Sequence, residues 1–246
     1  MAATQQIAQC RARVPDGVRL YAVGDIHGRA DLLDVLHGRI AGDAERAPGR
    51  RKVVVYLGDY VDRGPDSFAV VEGLIERPLP EFESVRLKGN HEDFLLAFID
   101  DAAVGDAWMM NGGGATLASY GVETGGYGGD ALEEARLGLI RALPGDHLDF
   151  FHGLALTHEA GDYLFVHAGV RPGVGLRQQK DFDLMWIRDD FLDSDADFGR
   201  LVVHGHSIRP RPDIRPNRIG IDTGAYLTGR LTCLVLDGEE RRFLHT

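Results

Sequence analysis

Five short stretches of this chain place oxygen and imidazole donors directly after apolar runs. They are Asp25 and His27 in GDIHG, Asp59 and Asp62 in GDYVDRG, where Arg63 adds a guanidinium, Asn90 and His91 in GNHE, His167 in VHAG, and His204 and His206 in HGHS. Oxygen and imidazole without thiolate suit a divalent metal such as Mn, Fe, Zn or Ni. Asp25 and His27 are two positions apart, so an extended backbone points both side chains the same way. A carboxylate has two oxygens and can bridge two ions, and Asp59 is the natural candidate. The flanking glycines let the backbone turn tightly where side chains crowd round a cation. Each stretch alone fits an ordinary turn. Five of them after five strands argue for one meeting place, because ligands gather at the carboxyl ends of strands in α/β sheets.

The elements that would position these donors alternate. Val18–Val23, Lys52–Leu57 and Ser84–Leu87 read as strands, the second as a continuous apolar run covered on both faces. Helical spacing follows each: Leu32, Leu33, Leu36 and Ile40, then a helix capped at Asp66 or Ser67, then Phe94, Leu95, Phe98 and Ile99. This β-α series predicts a layered α/β fold. A helix is expected over about 131–143, closed by Pro144-Gly145. The last hundred residues read mostly as strands, at 155–158, 163–166, 201–204, 218–221, 231–236 and 241–245. The Gly-rich stretch at about 102–130 stands apart as a lid or an irregular insertion that shapes substrate access, with Trp108 or Tyr127 at its edge. Residues 1–17 read as an N-terminal extension and 18–246 as a single domain carrying that insertion.

Bulk properties narrow the function. At 246 residues the chain can bury a substantial core. A net charge of −11 argues against general nucleic-acid binding, which calls for a basic patch. Two distant cysteines, Cys10 and Cys233, make a disulfide framework improbable. Without an apolar span or a signal-like N-terminus, the expectation is a soluble, cytoplasmic protein with no membrane partner.

The ordered set GDIHG, GDYVDRG, GNHE, VHAG and HGH resembles the calcineurin-like metallophosphoesterases, and within them the bacterial and phage members of the phosphoprotein phosphatase family. LMWIR at 184–188 and IDTGAYLTGRLTCLVLDG at 221–238 resemble the same group. The resemblance implies a four-layer αββα sandwich with two mixed β-sheets flanked by helices. It implies two divalent ions, Mn²⁺ first among them, one held by Asp25, His27 and Asp59 and the other by Asp59, Asn90, His167 and His206. It makes His91 the general acid, Asp62 the group that orients it, and Arg63 and Arg188 the phosphate-binding arginines. Lys88 stands where many relatives carry Arg, and His204 is left to packing or an outer role. The implied reaction is direct hydrolysis of a phosphate ester by water activated between the ions. The substrate is a phosphorylated protein or a small phosphoester. The full VDRG and GNHE spellings favour a serine/threonine protein phosphatase. A symmetrical bis(5'-nucleosyl)-tetraphosphatase is the alternative, and a non-catalytic scaffold the third reading.

Overall fold

The computed structural model describes residues 12–123 and 128–246. Tyr127 and Cys10 lie outside the described residues. In chain order the elements are β1 (Val18–Val23), α1 (Ala30–Ala44), β2 (Arg51–Tyr56), α2 (Ser67–Glu76), β3 (Phe82–Arg86), α3 (Asn90–Asp100), α4 (Gly105–Met110), α5 (Gly113–Ser119), α6 (Gly129–Ala142) and α7 (Gly145–His152). They continue with β4 (Thr157–Ala160), β5 (Tyr163–Val166), α8 (Asp181–Trp186), α9 (Asp189–Leu192), β6 (Leu201–His204), β7 (Asp213–Ile214), β8 (Arg218–Gly220), α10 (Ala225–Thr228), β9 (Thr232–Asp237) and β10 (Glu240–His245). One sheet has the order β10-β9-β1-β2-β3, the other β4-β5-β6-β8-β7. Both are mixed: β1, β2 and β3 run parallel, β9 runs against them and β10 runs against β9, while β5, β6 and β8 run parallel between antiparallel β4 and β7.

Strand alternation builds the layers. On β1, Leu20 and Ala22 face the second sheet, meeting Phe165, Val203 and Ile219. Tyr21 and Val23 face the other way, onto Leu36, Ile40, Val70 and Leu74 of α1 and α2. Because both of its faces are covered, Val53–Tyr56 of β2 reads as an unbroken apolar run. On the far side, Leu164, Val166 and Val202 pack on Leu184, Ile187 and Phe191 around α8 and α9. The result is the four-layer αββα sandwich. Ala12 and Val14, ahead of β1, are also buried between the sheets, and Val14 N–H bonds the Gly238 carbonyl. No helix among the described residues is long and apolar enough to cross a membrane.

The Gly-rich segment differs from an irregular insertion. Most of residues 102–119 is helical, and Trp108 is fully buried. Three of its glycines, Gly105, Gly112 and Gly113, are close-approach positions: a Cβ on Gly105 would meet Leu132 and Phe98, and one on Gly113 would meet the Trp108 ring. Pro144-Gly145 closes α6 as expected, yet it also opens α7, with Pro144 at the N-cap.

One buried ionic cluster ties α1 to the first sheet. Asp43 accepts from Arg19 Nη2 and Tyr21 OH, each at 2.8 Å, and from Arg242 Nη2 on β10. Burial alone would raise this carboxyl, but the hydrogen bonds from Arg242, Tyr21 and Arg19 win and hold it below the usual carboxylate range. A lowered folded-state pKa stabilises above the unfolded value, and that contribution is lost as pH falls through the folded one. We expect Asp43→Asn to cost about 3 kcal/mol near neutrality, because it removes the buried carboxylate shared by Arg19 and Arg242. In urea titrations the gap between wild type and variant should close at acid pH. A constant gap down to pH values well below ~3.9 would show that the Asp43 charge is not what stabilises.

Candidate metal centre

Five strands, three parallel in one sheet and two parallel in the other, lead at their carboxyl ends into the candidate residues. β1 delivers Asp25 and His27, β2 delivers Asp59, Asp62 and Arg63, and β3 leads through Leu87-Lys88-Gly89 into α3, which opens with Asn90 and His91. From the second sheet, β5 delivers His167 and β6 delivers His206. Asp25, His27, Asp59, Asp62, Asn90, His91, His167 and His206 are all buried. Two clusters of possible ligand atoms form, His27 with Asp59 and His91, and Asp59 with His167 and His206. Asp59 is common to both.

The hydrogen bonds fix which ring nitrogen faces inward. His27 Nδ1 donates to the Val61 carbonyl at 2.8 Å and His167 Nδ1 to the Leu57 carbonyl at 2.9 Å, since a carbonyl only accepts. Burial pushes both imidazoles towards the neutral form, His167 to about 3. Their Nε2 atoms therefore carry lone pairs, yet each faces an Asp59 carboxylate oxygen at 3.4 Å. Asp25 Oδ2 accepts the His206 N–H at 2.9 Å, while Asp25 Oδ1 and His206 Nε2 have no partner. Burial also raises Asp25, with Asp222 and Asp59 adding repulsion, and raises Asp59, with Glu92 adding. Buried acceptors that face one another without donors call for a cation, and neutral imidazole with carboxylate is the donor set that the divalent metals take.

Local backbone strain concentrates here. Among the described residues six non-glycines have positive φ, and five of them are His27 (47°), Asp59 (52°), Asp62 (71°), Arg63 (68°) and His206 (61°). Such conformations cost roughly 1–3 kcal/mol each and persist only where surroundings over-determine them. Gly89 and Gly205 are required by proximity, since a Cβ would collide with an Asp59 oxygen in one case and an Asp25 oxygen in the other.

The remaining sequence candidates take distinct places. His91 Nδ1 lies 2.6 Å from Asp62 Oδ2, and His91 Nε2 has no partner. The half-buried Arg63 guanidinium stacks 5.1 Å above the Tyr226 ring, and its charge disfavours protonation of His27 and His91. Arg188 is exposed, and its charge reaches His91, His167 and His206 in the same sense. Lys88 is engaged by Asp93 at 2.6 Å. His204 packs edge-on against Phe191, with Nδ1 donating to the Gly205 carbonyl.

Three buried residues escape a reading by motif. Glu92 accepts from Gly89 N, Asp59 N and Tyr60 N at 2.8–2.9 Å and so pins the Asp59 turn; its spelling in GNHE was the available signal. Asp222 is buried beside Asp25 and raised to about 6 by that burial. Trp108, expected at an entrance, instead donates its indole N–H to Asp62 at 2.8 Å.

Comparison with known proteins agrees with this architecture. The chain is 26% identical over 232 residues to the asymmetrical bis(5'-nucleosyl)-tetraphosphatase PrpE of Bacillus thuringiensis (strain Al Hakam), covering 86% of this chain and 88% of that one. It is 27% identical over 225 residues to serine/threonine-protein phosphatase 2 of Escherichia coli (strain K12), covering 87% and 90%. A crystal structure of a putative diadenosine tetraphosphatase superposes with a TM-score of 0.63 over 95% of this chain and 96% of the other, and at 21% identity it speaks for the fold alone. Residues 18–231 match the calcineurin-like phosphoesterase family, to which this chain belongs.

Proposed function

We propose that this chain is a dinuclear metal-dependent phosphomonoesterase whose substrates are phosphoserine and phosphothreonine proteins. Asp25, His27 and Asp59 would hold one ion, and Asp59, Asn90, His167 and His206 the other. The observation that carries the reading is the convergence of lone pairs on Asp59, where His27 Nε2 and His167 Nε2 each face a carboxylate oxygen at 3.4 Å with no donor between them. Divalent ions, Mn²⁺ in our proposal, supply a water of lowered pKa and neutralise phosphoryl charge when bound.

The protein side chains do the rest. Arg63 and Arg188 flank the centre as forks for phosphoryl oxygens. With a bound phosphoryl group offsetting the Arg63 and Arg188 charges, His91 acts as the imidazolium: as the ester bond breaks it gives its Nε2 proton to the leaving oxygen, and Asp62 holds the ring by accepting from Nδ1. Neutral Asn90 adds a donor atom without another negative charge beside Asp25, Asp59 and Asp222. The Escherichia coli relative, named a serine/threonine-protein phosphatase, supports the choice of substrate. A second reading, hydrolysis of dinucleoside tetraphosphates, is favoured by the PrpE relative. That relative is of the asymmetrical kind, whereas the alternative that the family resemblance implies is the symmetrical enzyme.

Three outcomes test the proposal. Exhaustive chelation should abolish hydrolysis of p-nitrophenyl phosphate, and Mn²⁺ should restore it; an undiminished rate after chelation would exclude the metal assignment. Asp59→Asn should lower turnover by at least ~10²-fold and reduce bound Mn²⁺ measured by elemental analysis, so an unchanged metal content would remove Asp59 from the bridging role. A phosphoserine peptide should be turned over with a higher kcat/KM than diadenosine tetraphosphate, and the reverse order would favour the second reading.

A further inference from the structure

We infer that Trp108 and Thr116, on α4 and α5 of the Gly-rich segment, are positioning residues that lock Asp62 and through it the proton-delivering His91. The inference rests on the proposed role of His91. Asp62 is fully buried, and both its oxygens are engaged. Oδ1 accepts the Thr116 hydroxyl at 2.6 Å, while Oδ2 lies 2.8 Å from the donating Trp108 indole N–H and 2.6 Å from His91 Nδ1. The Asp62 N–H in turn donates to Thr116 Oγ1 at 2.8 Å. An indole N–H has no acceptor role, so the Oδ2 lone pair it meets is committed. Two donors from two helices stop the carboxylate rotating about its last torsion, which is otherwise broad.

The brace is itself rigid. Trp108 packs against Phe98 with ring centroids 4.9 Å apart, and Gly113 lies under its ring with no room for a Cβ. Gly112, at φ 103°, turns the chain between α4 and α5 and accepts the Arg63 N–H at 3.2 Å. One turn thus grips Asp62 and Arg63, both of which sit in left-handed conformations that need outside support.

The chemical consequence is selective. When the P–O bond breaks, its electron pair goes to the leaving oxygen, which takes the proton from His91 Nε2. Water forms the new P–O bond and releases a proton. A loosened imidazole penalises leaving groups that need that proton and spares those that do not. A fold defect penalises both alike.

The test therefore compares phenyl phosphate, a poor leaving group, with 2,4-dinitrophenyl phosphate, a good one, using the Mn²⁺-loaded full chain. Trp108→Phe and Thr116→Val should each lower kcat on phenyl phosphate by at least ~10-fold, while kcat on 2,4-dinitrophenyl phosphate stays within about 3-fold, a change of under 1 kcal/mol in the barrier. Thr116→Ser, which keeps the hydroxyl, should restore the phenyl phosphate rate. Equal losses on both substrates, or no loss on either, would overturn the inference. Thr116→Val is near-isosteric and keeps the test usable if Trp108→Phe fails to fold. His91→Asn separates the two levels. If its loss is selective for phenyl phosphate while that of the brace variants is not, only the brace is refuted; if its own loss is uniform, the acid reading falls and the brace with it.

Discussion

Mutual repulsion of buried acceptors around Asp59 is the constraint from which the rest of this structure follows. Two neutral imidazoles and the carboxylates of Asp25, Asp59 and Asp222 are held together away from water. No arrangement of protein donors among the described residues satisfies Asp25 Oδ1 or His206 Nε2. Left alone, such a cluster would spread apart or take up protons, and burial does raise its carboxyls and depress its histidines. The protein resists spreading with a second set of interactions. Glu92 gathers the amides of Gly89, Asp59 and Tyr60 and stitches the β2 turn to the start of α3. Strained φ values at His27, Asp59, Asp62, Arg63 and His206 are the visible cost of that packing.

The two-sheet architecture is what makes the crowding feasible. The first sheet supplies Asp25, His27 and Asp59 from neighbouring parallel strands, and the second supplies His167 and His206 in the same way. The two halves meet only because Leu20, Ala22, Val53 and Val55 pack on Phe165, Val203 and Ile219. The apolar layer between the sheets therefore sets the distance between the halves of the site. Hydrogen bonds such as His206 N–H to Asp25 and His167 Nδ1–H to the Leu57 carbonyl close the seam at its end. The two relatives carry the names of hydrolases of different phosphoesters, and a fold with its core site does not choose the substrate.

Much of this was legible in the linear chain. Apolar runs at 18–23 and 52–57, each punctuated by Gly-Asp, located strands, turns and donors together, since a strand buried on both faces must be continuous and a crowded turn needs glycine. Asp222, Thr116 and the true place of Trp108 were not legible. Their partners lie far along the chain: Trp108 reaches Asp62 across 46 positions and Thr116 reaches it across 54. The Gly-rich run also misled, because glycine that admits a neighbouring ring has the same letter as glycine that loosens a loop. Gly113 under Trp108 is of the first kind.

By itself the sequence determined the inventory: which strands would be buried, which turns would carry carboxylate, amide and imidazole, and which family those turns resemble. Local periodicity and residue chemistry suffice for that, as both are properties of neighbouring positions. Only the tertiary structure decided that Nε2 rather than Nδ1 of His27 and His167 faces Asp59, and that Asp62 is braced from α4 and α5. Those facts depend on which carbonyl or donor a distant segment brings within hydrogen-bond reach, and packing alone sets that.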